Sequence, residues 1–174
     1  RNLSTAMMRS FENRKDTVVF DEPFYAHYLS VTELNHPGRD QILDFQSTNW
    51  DEVVEKCRNT SFQKESLCYQ KHMAQHNLQG FDISWIKDVQ NCILIRDPKY
   101  VIASYGKKLP IQDERHLGYI QQADIIEFLE KENGITPPII DADDILKNPE
   151  SMMKKLCKAL DIIFYPCLLY TSPS

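Results

Sequence analysis

Apolar residues recur along this chain in two rhythms. Ala6, Met7 and Phe11 fall at helical spacing after a short polar opening and predict a first helix starting near Leu3. A β-branched run, Thr17-Val18-Val19-Phe20, then reads as a strand that stops at two acids, Asp21 and Glu22. From His27 to Gln46 the pattern fades into loop with a little helix, with a turn at Asn35-His36-Pro37-Gly38. Thr48 and Asn49 can cap a helix running through Cys57, with Trp50, Val53, Val54 and Cys57 on one side. Residues 66–73 read as a short strand and 83–87 as a short helical segment. The unbroken apolar run Asn91-Cys92-Ile93-Leu94-Ile95 has the length and composition of a strand buried on both faces. Pro98 then opens a helix that reaches Tyr105. Residues 117–132 carry Ile120, Ala123, Ile126 and Leu129 at helical spacing and stop at Gly134. A strand at 137–141 leads to a last helix, in which Asn148 is placed to cap, Pro149 takes the first helical position and Glu150 favours the dipole. Its buried stripe is Met152, Met153, Leu156, Cys157 and Leu160. Helical stretches alternating with short strands predict an α/β layered fold, with a mainly parallel sheet flanked by helices.

The composition narrows this picture. A chain of 174 residues with 42% hydrophobic and 26% charged residues is expected to form one domain with a substantial core. A net charge of −5 leaves no global basic footprint for nucleic acid, so any anion site is local. No apolar run has the length of a membrane span. The five cysteines, Cys57, Cys68, Cys92, Cys157 and Cys167, are odd in number and include no CxxC pair. That favours a reduced, cytoplasmic setting, with Cys92 and Cys157 as small core residues. Cys68, His72 and His76 repeat every four residues, but the segment reads as a strand running into a turn, so no metal site is expected.

The opening stretch carries candidate chemistry. Arg1-Asn2-Leu3-Ser4-Thr5 offers a fixed charge and two hydroxyls at the start of a helix, where unpaired N–H groups favour an anion. A Ser-Thr pair is also an ordinary cap. Loop, helix, strand and acid together make half of a nucleotide-binding α/β unit. The strand that should precede the loop is absent and no initiator Met is present, so the chain is expected to be a fragment. Arg96 follows a buried strand, where parallel sheets place ligands, or it pairs with Asp97. Asp21 and Glu22 end a strand and could serve as a base, or simply pair with Lys or Arg.

Three ordered signatures carry a resemblance. Arg1-Asn2-Leu3-Ser4-Thr5 opens a helix and is followed by Asp21-Glu22-Pro23-x-Tyr25-Ala26-His27-Tyr28. Arg96-Asp97-Pro98-x-x-Val101-x-x-Ser104 follows a buried strand. Asp144-Ile145-Leu146-x-x-Pro149-Glu150 leads into the last helix. Over residues 1–164 this resembles the sulfotransferase family, which uses 3′-phosphoadenosine 5′-phosphosulfate (PAPS) on a P-loop NTPase-like fold. It is most similar to the sulfotransferase-like branch found in plants fused to branched-chain aminotransferase-like proteins. The resemblance implies that Arg1, Asn2, Leu3, Ser4 and Thr5 hold the 5′-phosphosulfate, with Arg1 also steadying charge on the bridging oxygen. It implies that Arg96 and Ser104 hold the 3′-phosphate. Glu22 is the implied base, with Asp21 and His27 as substitutes, and no metal is needed.

Two features depart from the family pattern. Leu3 stands where the phosphate loop usually has glycine. The late basic loop over the donor is missing, and residues 165–174 resemble translated sequencing adaptor, so they are expected to be a non-native tail. The acceptor stays open as a small hydroxyl or amine compound. Lys107, Lys108 and Arg115 either draw an anionic acceptor or form a solvated face. A fused neighbouring domain is implied by the branch. Two other functions remain on the same fold. One is a non-catalytic nucleotide-binding or interaction module, favoured by Leu3. The other is a P-loop kinase or NTPase, disfavoured because no GxxxxGK[ST] loop is present.

Overall fold

The structure, a computed structural model, describes residues 3–59, 67–106 and 113–170. The N-terminal part runs α1 (Leu3–Glu12), β1 (Thr17–Asp21), α2 (Tyr25–Thr32), α3 (Arg39–Phe45), α4 (Trp50–Arg58) and β2 (Leu67–Lys71). After two short 3₁₀ turns come β3 (Ile93–Ile95), α5 (Pro98–Tyr105), α6 (Tyr119–Asn133), β4 (Ile139–Asp141), α7 (Ala142–Lys147) and α8 (Pro149–Ala159). The described residues end in a 3₁₀ turn, Pro166–Leu169.

All four expected strands form, and both pairings are parallel. β1 lies beside β2 in the register Thr17↔Leu67 to Asp21↔Lys71, and β3 beside β4 in the register Ile93↔Ile139 to Ile95↔Asp141. Among the described residues each pair is a separate two-stranded sheet. Parallel pairing sends the C-terminal ends of both strands in a pair the same way, so Glu22 and Lys71 come together at one end.

Sequence cues account for most helix ends. The Asn49 side chain accepts from Glu52 N–H at 3.2 Å, and Asp97 accepts from Lys99 N–H at 2.9 Å ahead of Pro98. Gly134 closes α6 at φ 67°, a left-handed conformation that glycine adopts without a Cβ clash. Pro149 does open α8, but the Asn148 side chain makes no capping bond, so proline geometry and Glu150 start that helix instead.

Among the described residues two apolar cores result. The first joins Met7 and Phe11 of α1 to Ile140, Ile145, Met153, Leu156, Cys157 and Leu168. Phe11 stacks on Tyr69 with centroids 4.3 Å apart, which ties α1 to β2. Leu168 is 2% exposed, so the segment at 166–169 packs on α1 as part of this core. The second core gathers Phe24, Trp50, Val53, Cys57, Trp85, Ile86 and Leu129. The residues expected to be loop between His27 and Gln46 include most of α2 and all of α3. α2 is held by buried residues all round it, whereas α3 buries none.

Candidate functional site

A cavity of about 940 Å³ lies between the two strand pairs, lined by Leu67, Tyr69, Ile93 and Leu94 along the strands. At the C-terminal strand ends its wall turns polar: Glu22 follows β1, Lys71 ends β2 and Arg96 follows β3. The first turn of α1 adds Leu3 and Ser4, and α5 adds Ser104. Arg1 and Asn2 lie outside the described residues. Of the remaining predicted site residues, Leu3, Ser4, Glu22, Arg96 and Ser104 thus share one cavity, and Thr5 sits half-buried on α1.

Two of these residues hold polar atoms without a partner. The Ser4 hydroxyl and the Arg96 Nε are both buried and make no hydrogen bond. Such atoms normally find a partner, so their occurrence on one cavity marks a place where a ligand can supply acceptors. The Arg96 guanidinium does not pair with Asp97, whose carboxylate is used as the α5 cap. It lies instead 5.2 Å from the Tyr100 ring centroid, and the Arg96 carbonyl accepts from the Tyr119 hydroxyl at 2.8 Å.

Glu22 occupies a left-handed backbone position, φ 50°, which a residue with a Cβ adopts only when its surroundings enforce it. Its N–H donates to the Lys71 carbonyl at 2.8 Å, and its own carbonyl accepts from Tyr25 N–H at 3.0 Å. The Glu22 carboxylate is also bonded to the Lys71 ammonium, which donates to Asp21 at 2.9 Å as well. Lys71 is only 5% exposed. Burial pulls its pKa down, but the bonds to Glu22 and Asp21 outweigh that and hold it above the ordinary lysine value. Sequence reasoning missed Lys71, because its role depends on the β1–β2 register that sets it opposite Asp21. A lysine closing an apolar strand beside a strand ending in two acids was the available signal.

The two substitutes for Glu22 are set elsewhere. Asp21 is exposed and is not part of the cavity wall. His27 faces the second core, with its ring edge-on to Phe81 at 4.4 Å and to Trp50 at 5.2 Å, and with Nδ1 2.9 Å from the Thr48 carbonyl. Cys68 belongs to β2, while His76 lies in a 3₁₀ turn, so the four-residue spacing does not build one helical face. No group of three or more His, Cys, Asp or Glu side chains is poised for a metal among the described residues.

Beyond Glu22 the cavity continues into an aromatic chamber formed by Tyr25, Tyr28, His36, His76 and Tyr105. Burial raises the Tyr25 and Tyr28 phenols to about 12, with the Glu22 charge adding to the effect at Tyr25. Burial lowers His72 to about 4 and His76 to about 3, each helped by the Lys71 charge, so both imidazoles are neutral at pH 7.

The chain is 34% identical over 169 residues to branched-chain-amino-acid aminotransferase-like protein 1 of Arabidopsis thaliana, and 32% identical over 170 residues to protein 2 of that name. Each match covers 97% of this chain but 30% of the relative, so the chain spans less than a third of their length. No solved structure matches it. The Sulfotransferase domain model matches residues 1–174, the whole of the chain, and the protein belongs to that family.

Proposed function

We propose that this domain transfers a sulfuryl group from PAPS to the hydroxyl or amine of a small acceptor. The observation that carries the proposal is the pair of unpartnered donors, Ser4 Oγ and Arg96 Nε, on the wall that also holds Glu22. Arg96 and Ser104 would hold the 3′-phosphate, and Arg1, Asn2, Leu3, Ser4 and Thr5 the 5′-phosphosulfate at the start of α1. When bound, PAPS supplies an activated sulfuryl group, which leaves its phosphate oxygen as a bond forms to the acceptor oxygen or nitrogen. Glu22 takes the proton that the acceptor loses. Lys71 fixes the Glu22 carboxylate at the strand end, and Arg1 balances charge on the bridging oxygen. We further assign the apolar slot between β2 and β3 to a strand preceding Arg1. That strand would join the two parallel pairs into one sheet.

The bond between Glu22 and Lys71 favours a second function, a nucleotide-binding module without catalysis, because the carboxylate already has a cationic partner. Titration of 3′-phosphoadenosine 5′-phosphate and of ADP into the full-length protein, with Arg96→Ala in parallel, tests the donor site. Binding of the 3′-phosphorylated ligand alone, weakened by Arg96→Ala, is expected. Equal or absent binding of the two nucleotides by folded protein would overturn it, and preference for ADP would point to phosphoryl transfer.

A further inference from the structure

The aromatic chamber next to Glu22 has a composition of its own. Tyr25 and Tyr28 stand one turn apart on α2, and the His76 ring lies against both, with centroids 5.0 and 4.8 Å away. Tyr105, on the last turn of α5, lines the same cavity. Leu29, Leu34 and Met73 add apolar surface. The charged side chains among the described lining residues are Glu22, Arg58, Lys71 and Arg96. Glu22 and Lys71 are bonded to one another, Arg58 pairs with Asp88 at 2.8 Å, and Arg96 belongs to the donor wall. Among the described residues the chamber itself is uncharged; Lys107 and Lys108 lie outside them.

It still presents a directed donor. The Tyr25 hydroxyl lies 2.8 Å from His36 Nδ1, and the same nitrogen lies 3.1 Å from the Pro37 carbonyl. A carbonyl only accepts, so both contacts are hydrogen bonds when Nδ1 carries the proton. In that tautomer the Tyr25 oxygen accepts from His36, and its own O–H is free to donate into the cavity. The raised pKa of Tyr25 keeps that proton in place, so the group binds and does not act as a base.

We propose that this chamber is the acceptor site, that it selects an uncharged compound whose hydroxyl is carried on a ring with a flat apolar face, and that Tyr25 determines this specificity. Such a ring stacks on the tyrosine and histidine faces while Tyr25 donates to a hydroxyl oxygen, next to the carboxylate that receives the proton. An anionic acceptor would lose its hydration in a chamber whose described residues offer no free cation, and would meet Glu22. Aryl alcohols and neutral sugars share this chemistry. The proposal rests on sulfuryl transfer as the reaction.

The test uses the full-length protein, radiolabelled PAPS and four acceptors: 2-naphthol, methyl glucoside, and the carboxylated counterparts 6-hydroxy-2-naphthoate and methyl glucuronide. At least one neutral acceptor is expected to exceed its carboxylated counterpart in kcat/KM by about tenfold or more. The two pairs tell an aryl alcohol from a sugar. Tyr25→Phe is expected to raise KM for that acceptor about three- to tenfold, the worth of one neutral hydrogen bond, with kcat little changed. Tyr105→Leu, on a partly exposed wall, is expected to raise KM without altering nucleotide affinity. Equal or preferred use of the anionic acceptors, or an unchanged KM in Tyr25→Phe, overturns the proposal. Nucleotide titration and direct titration of the neutral acceptor are run separately. Absent nucleotide binding sinks the transferase assignment, whereas Tyr25-dependent binding of the neutral acceptor without turnover leaves the chamber assignment standing. Binding of neither sinks both.

Discussion

Arg14 and Arg96 have the same side chain and the same kind of aromatic neighbour, yet opposite fates. Arg14 lies 4.7 Å from the Tyr165 ring centroid and Arg96 5.2 Å from that of Tyr100. Each nitrogen of Arg14 is bonded: Nε and Nη2 reach Asp16 at 2.9 and 2.8 Å, and Nη1 reaches the Ile163 carbonyl at 2.7 Å. That pairing raises Arg14 and lowers Asp16 from their ordinary values. Arg96 makes no ion pair with another described residue, and its Nε is buried without a partner. A guanidinium with every nitrogen bonded joins parts of the chain, here the α1–β1 turn to the segment after α8. One with a donor left over, on a cavity wall, is shaped for something that binds.

The largest effect expected is at Glu22, which sharpens the contrast from the reaction's side. Glu22→Gln keeps the size and the backbone but removes the proposed proton acceptor. Its transfer rate should fall about 10²- to 10⁴-fold, the usual range for a general base, while 3′-phosphoadenosine 5′-phosphate still binds. Equal activity in the variant would return Glu22 to a purely structural pairing with Lys71.

The two arginines should then separate by readout. Arg14→Ala is expected to cost about 2–4 kcal/mol in denaturant unfolding, below a fully buried pair because the Asp16 it strands is partly exposed. Leu168→Ala, in the same tied-down segment, should cost about 2–4 kcal/mol through its cavity, measured in the same way. It also probes the expected domain boundary at residue 164: a native-like midpoint in this variant, or after truncation there, would mark the following residues as dispensable. Arg96→Ala should leave unfolding nearly unchanged and weaken the 3′-phosphorylated nucleotide about ten- to a hundredfold, the range for hydrogen bonds between charged groups. Matching losses of stability in Arg14→Ala and Arg96→Ala would break the comparison.

How far the sequence foretold this depends on the kind of information each feature needs. All four strands were legible because β-branched or apolar runs of strand length ended at clear breaks. α4 and α8 were legible because their apolar residues keep to one stripe. α2 was not, because Ala26, His27, Tyr28 and Leu29 are all buried and leave no polar face to reveal the period. α3 buries nothing, so no stripe exists to be seen. The site divides in the same way. Arg96, Glu22 and Ser4 could be placed because strand ends and helix starts are local features. Lys71 depends on strand register, and the Tyr25–His36–His76 chamber on three segments meeting in space. His27 is a neighbour of Tyr25 in sequence, yet helical rotation turns it into the opposite core.

The smallest effect at neutral pH comes from two buried histidines of the cavity wall. His72 and His76 are held below their ordinary value of 6.5, at about 4 and about 3, chiefly by burial, then by the Lys71 charge at His72 and by His72 and Lys71 in turn at His76. The neutral forms are the ones the fold contains. The unfolded chain takes up protons as pH falls through 6.5, while the folded chain resists until pH approaches 4 and then 3, so stability declines across that window as the medium becomes more acidic. Between pH 7 and pH 5.5 the loss should be about 1 kcal/mol for each histidine, read as a falling denaturation midpoint. His76→Phe keeps a ring between Tyr25 and Tyr28 and removes the titration, so its midpoint should fall less steeply with acid than the parent's. A slope identical to the parent's would mean that His76 takes up its proton in the folded state as readily as in the unfolded one. The chamber would then carry a charge in mild acid and would no longer select against anions there.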